Sequence, residues 1–93
     1  MGLSFEWDAD KAVSNLAKHA ISFEEGASAF ADPLSLTIVD PDHSVGEERF
    51  VLVGLSFRNR LVVVVHTEEG DRIRLIGARR ATGVEARDYE RGR

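Results

Sequence analysis

The longest unbroken apolar run in the chain is Leu61 to Val65. It is far too short to cross a bilayer, which takes about 20 residues. A strand that is apolar on both sides needs cover on both faces, so Leu61 to Thr67 is expected at the centre of a sheet. Three more strand-like runs surround it: Leu34 to Val39, Arg49 to Ser56 and Arg72 to Ala78. Asp40-Pro41-Asp42 stops the first of them. Arg58-Asn59 and Glu69-Gly70-Asp71 are short, turn-like connections. These features predict a four-stranded antiparallel meander.

The residues before the meander follow other periods. Phe5-Glu6-Trp7 alternates apolar and polar and reads as a short strand. Asp8 is placed to cap a helix from Ala9 to His19. Its expected apolar stripe is Ala9, Ala12, Val13, Leu16 and Ala20, with Lys11, Asn15 and Lys18 on the opposite side. Ser22-Phe23-Glu24-Glu25 has the spacing of a capping box and opens a second helix to about Phe30. Asp32-Pro33 ends it. A second capping box, Thr82 to Glu85, starts a terminal helix through Tyr89. The predicted class is α+β, a single domain over residues 1–93. A short N-terminal strand and two helices pack on the meander, and a C-terminal helix follows.

Composition narrows the function classes. Hydrophobic residues at 43% and charged residues at 30% suit a folded globule. There is no cysteine, which removes disulfides, thiolate metal sites and a thiolate nucleophile, and fits a reducing compartment. The first ten residues carry Glu6, Asp8 and Asp10 and do not read as a signal peptide, so a cytoplasmic location is expected. The net charge of −4 conceals a split. Through Phe57 three cations face ten acids; from Arg58 onward nine arginines and no lysine face six acids. The guanidinium fork suits phosphate and carboxylate recognition.

Three stretches in order carry a resemblance. The first is Phe5-Glu6-Trp7-Asp8 with Lys11, Asn15, Lys18-His19 and Ser22-Phe23-Glu24-Glu25. The second joins Phe30-x-Asp32-Pro33 to Asp42-His43-Ser44 and Glu47-Glu48-Arg49. The third runs from Arg74 through Ala78-Arg79-Arg80-Ala81-Thr82 to Glu85 and Tyr89-Glu90. Together they resemble the BrnT family of small bacterial toxins. The resemblance implies a RelE-like fold and a ribonuclease toxin of a type II toxin–antitoxin pair. It also implies a BrnA-like ribbon-helix-helix antitoxin that neutralises the toxin and brings operator DNA to the complex.

Metal-free RNA cleavage requires a base for the ribose 2′-OH, a cation for the phosphoryl oxygens and an acid for the departing 5′-oxygen. His43 sits in the Asp40–Gly46 connection, where an imidazole can serve as acid or base or simply bond its own loop. Glu47 and Glu48 precede a strand, and alternation places one of them opposite Arg49. Arg79 is expected at the end of an apolar row with Ile73, Leu75 and Gly77, beside the last helix. There it either makes a phosphate site or pairs with Glu85. The catalytic candidates are therefore His43, Glu47, Glu48 and Arg79, and the RNA-binding candidates are Arg49, Arg60, His66 and Arg80. His66 ends the most apolar strand, where a lone histidine is more often a packed, hydrogen-bonded residue at the core edge than a catalyst. The three histidines are far apart and predict no metal site, and no cofactor is expected. The competing class is a non-catalytic module that binds a DNA-binding partner.

Overall fold

The computed structural model describes residues 2–40 and 46–92. The chain folds as β1 (Ser4–Glu6), α1 (Ala9–His19), α2 (Phe23–Ser28), a 3₁₀ turn (Ala29–Ala31), β2 (Leu36–Val39), β3 (Phe50–Leu55), β4 (Leu61–Glu69), β5 (Arg72–Arg80) and α3 (Gly83–Arg91). The strands form one sheet in the order β1-β5-β4-β3-β2. The expected meander is present as β2 to β5, with β4 inside it. The N-terminal strand differs from expectation: it adds to the sheet as a fifth strand, parallel to β5, pairing Ser4 with Arg72 and Glu6 with Arg74. The sheet is therefore mixed.

The core lies between the sheet and the first two helices. Ile21, Phe23 and Ala29 from the helical segment meet Leu52, Val62, Val64, Ile73, Leu75 and Ala78 from the strands. Trp7 packs edge-on against Phe23, and Phe5 against Phe30. Two glycines permit this close approach. A Cβ on Gly26 would lie 3.2 Å from the Ala78 Cβ; one on Gly54 would lie 2.9 Å from the Ala29 carbonyl oxygen. The second contact is with backbone and cannot yield by a rotamer change. Gly54→Ala is expected to destabilise the fold by about 1–3 kcal/mol through overpacking, read as a lower urea midpoint at unchanged m.

The first helix is rotated from its expected setting. Ala12, Asn15 and His19 are its partly buried positions, while Val13 and Leu16 stay 71% and 50% exposed. A hydrogen-bonding need outweighs the apolar stripe. Beyond β1 the edge of β5 has no strand beside it, and Asn15 supplies the missing partner. Its Oδ1 accepts from the Ala78 N–H at 3.1 Å, and its Nδ2 donates to the Ala78 carbonyl at 2.8 Å and the Ile21 carbonyl at 3.0 Å. Buried backbone groups left without such a partner are costly.

The strand β5 departs from simple alternation too. Val65 pairs with Gly77 but His66 pairs with Leu75, so Ile76 is an extra residue in a bulge. Leu75 and Ala78 both face α2, as their contacts with Gly26 show. Arg79 is consequently on the other face, opposite Val63, and not in one row with Leu75. A single inserted residue moves every later side chain to the opposite face.

Candidate functional site

The charged side chains fall into separate clusters. The first centres on Glu25, which is 1% exposed. Ser22 caps α2 by accepting from the Glu25 N–H, but the Glu25 carboxylate does not complete the predicted capping box. It turns to Arg60, whose Nε donates at 2.9 Å and whose Nη2 also donates, and to the Ser56 hydroxyl at 2.7 Å. Hydrogen bonds from Arg60 hold the Glu25 carboxyl below its usual range, although burial opposes this. Arg60, expected on RNA, is thus occupied as the partner of a buried carboxylate.

The second cluster holds α3 against the sheet. Arg79 binds the Glu85 carboxylate with both terminal nitrogens, at 2.9 and 2.8 Å. Glu85 accepts from the Thr82 N–H and Thr82 Oγ1 accepts from the Glu85 N–H, completing the predicted box. Asp32 accepts from Leu34 and Leu55 N–H groups and from the Tyr89 hydroxyl at 2.5 Å. These bonds, with the Ser35 N–H donating to the Asp32 carbonyl, set Pro33 and Leu34 in a turn before β2. Hydrogen bonding to Asp32 pushes the Tyr89 phenol up to about 12.

The Arg79 hydrogen bonds bring Glu85 down from 4.5 to about 2, against the effect of burial. A carboxyl depressed on folding contributes stability above its unfolded pKa and loses it as pH falls toward the folded one. Part of the acid unfolding should therefore occur between pH 4.5 and about 2. Glu85→Gln should flatten the stability–pH curve in that window and cost about 1 kcal/mol at pH 7, discounted for the partial exposure of the pair. Titration followed by circular dichroism measures both.

The third cluster surrounds a cavity of about 490 Å³, lined by Glu6, Glu47, Glu48, Phe50, Thr67, Glu68, Glu69, Gly70, Arg72 and Arg74. Glu47 and Glu48 are exposed at its rim. Arg72 and Arg74 reach Glu6, and Arg72 also binds Glu69 at 2.9 Å. His43 lies outside the described residues. Arg49 connects this end of β3 to the strand before it, its carbonyl accepting from the Asp40 N–H at 2.8 Å.

The candidates named from sequence are not all brought together. Glu47 and Glu48 precede Phe50, opposite His66, at one end of the sheet. Arg79 and Arg80 lie opposite Val63 and Val62 toward the other. Arg80 is exposed. His66 is fully buried between Phe30 and Phe50, with Nδ1 3.2 Å from the Val64 carbonyl and Nε2 2.9 Å from Glu68. A ligand in solution has no access to its ring. Among the described residues, no group of three or more His, Asp or Glu is arranged to hold a metal ion. None of Glu25, Asn15 or Asp32 stood out in the sequence as an anchoring residue. Each is a polar residue at a helix, cap or turn position, where a local role explains it equally well.

Two helices on one face of an antiparallel meander, with a short parallel strand at its edge, define a small α+β fold with a mixed sheet. The crystal structure of the Brucella abortus ribonuclease toxin BrnT matches it with a TM-score of 0.57 and 23% identity, over 86% of this chain and 97% of that one. No curated protein sequence matches the chain. Residues 7–85 match the family described as the ribonuclease toxin BrnT of type II toxin–antitoxin systems. The chain belongs to the BrnT family. Membership implies an antitoxin partner and an RNA target. No helix among the described residues is long and apolar enough to cross a membrane.

Proposed function

We propose that this chain is a metal-independent endoribonuclease toxin, neutralised by a BrnA-like ribbon-helix-helix antitoxin with which it represses their operon. The family match across residues 7–85 carries the reading. The rim of the cavity beside Glu47 and Glu48 supports it. Glu47 and Glu48 offer exposed carboxylates for taking a proton from a ribose 2′-OH, and the guanidinium groups of Arg72 and Arg74 line the same cavity. His43, close by in sequence, is the candidate for the second proton transfer. Arg79 enters this scheme only if substrate displaces Glu85 from its fork.

Purified chain incubated with a mixed RNA in EDTA should cleave it, and a stoichiometric amount of the antitoxin should stop the reaction. Absence of cleavage, with or without ribosomes, would remove the catalytic part and leave a non-catalytic module that binds its DNA-binding partner. An antitoxin of another DNA-binding class would reject the ribbon-helix-helix part alone.

A further inference from the structure

RNA is a polyanion, yet the cavity bearing Glu47 and Glu48 is lined by more carboxylates than guanidinium groups. The arginines expected to offset this are matched by acids: Arg72 and Arg74 by Glu6, Arg79 by Glu85 and Arg60 by Glu25. A strand of RNA needs its hold elsewhere.

A second pocket, about 310 Å³, has the opposite character. It opens between α1 and β5, lined by Lys11, Ser14, Asn15, Lys18 and His19, with Ile76 and Gly77 as its floor. None of its lining residues is acidic. Among the described residues, the side chains of Lys11, Lys18 and His19 have no ion-pair or hydrogen-bond partner. The local structure explains the arrangement. Asn15 must face β5 to satisfy Ala78, which turns Lys11 and Lys18 toward the same strand. At the bulge Gly77 has no side chain, and a Cβ there would meet nothing nearer than the Asn15 Oδ1 at 3.9 Å, so the floor stays open. Lys11 and Lys18 are two helical turns apart, ~10 Å along the axis.

We propose that the α1–β5 pocket binds the sugar–phosphate backbone of a single RNA strand. Lys11 and Lys18 contact separate phosphates, and Ser14 and His19 supply hydrogen bonds. The proposal rests on the ribonuclease reading and adds to it a binding site apart from the catalytic candidates. Strand β5 joins the two: Arg74 lines the acidic cavity and Ile76 the basic pocket, ~7 Å apart along the strand. Lysine contacts thereby hold the backbone beside carboxylates that would otherwise repel it.

The test is fluorescence anisotropy of a labelled 2′-O-methyl oligoribonucleotide, which cannot be cleaved through its 2′ position, titrated with antitoxin-free protein at several salt concentrations. Lys11→Gln/Lys18→Gln should weaken binding about tenfold and reduce the slope of log K against log salt by about 1.4, two contacts at about 0.7 each. Arg87→Gln/Arg91→Gln removes the same net charge from α3, outside the pocket, and should leave the slope near that of the wild type. Equal behaviour of the two double variants overturns the pocket. Intact RNA binding in the lysine variant with weakened antitoxin binding also overturns it, in favour of a protein-docking surface. Cleavage by the wild type with undiminished RNA binding by the lysine variant rejects the site alone. Neither binding nor cleavage by the wild type rejects the ribonuclease reading with it.

Discussion

Glu25→Ala should lower the unfolding free energy by about 3 kcal/mol, measured as a shift of the urea midpoint at unchanged m. Glu25 is the buried centre of a network that fastens α2 to the turn between β3 and β4. Alanine removes the fork of Arg60 and the acceptor of the Ser56 hydroxyl together. Removing one partner of a buried pair costs about 3–5 kcal/mol, because the other is left without its counter-charge. Arg60 retains 22% of its side-chain exposure, which allows some rehydration and favours the lower end. The contribution should vanish in acid. With its folded pKa depressed, Glu25 stabilises the protein above about 4.5 and loses that effect as pH falls below it. A loss under about 1 kcal/mol at pH 7 would mean that the attraction only balances desolvation.

Glu47→Gln/Glu48→Gln should behave in the opposite way: catalysis falls and stability does not. Both residues are exposed, so the unfolding free energy should change by less than about 0.5 kcal/mol. A lost general base should slow RNA cleavage by about 10²–10⁴-fold. One of the single variants should account for most of that loss, because the proposed scheme uses one carboxylate as the base. Cleavage at the wild-type rate in the double variant rejects both. Arg79→Ala is a useful comparison. It breaks the clasp on Glu85, so its effect should register in the melting curve, whereas a phosphate-contacting role would reduce cleavage without lowering stability.

The elements were legible because each carries a local signature. Asp8 accepts from the Lys11 N–H as a cap, Thr82 and Glu85 form a full capping box, and the apolar run from Leu61 does lie inside the sheet. Three features escaped because they depend on distant partners. Asn15 reads as a polar-face residue until the open edge of β5 is set beside it. Ile76 reads as one more step of an alternating strand, and nothing local shows that it is extra. Glu25 fits a capping box, but Arg60 has the stronger claim on its carboxylate. The candidate site suffered most from this. Arginine counts pointed to a basic C-terminal surface, whereas the fold gives many of those arginines glutamate partners and leaves the lysines of α1 without any.

The parallel pairing of β1 with β5 joins Ser4–Glu6 to Arg72–Arg74, far along the chain. Contacts between residues so distant in sequence form slowly, because a long loop must close before they contribute. On a ribosome, Ser4 to Glu6 must wait for Arg72 to Arg74 to emerge before the sheet is complete. The toxin therefore cannot finish folding while most of it is still being made. Synthesis of the chain itself sets a delay between translation and any attack on RNA, and an antitoxin already present has that interval in which to meet it.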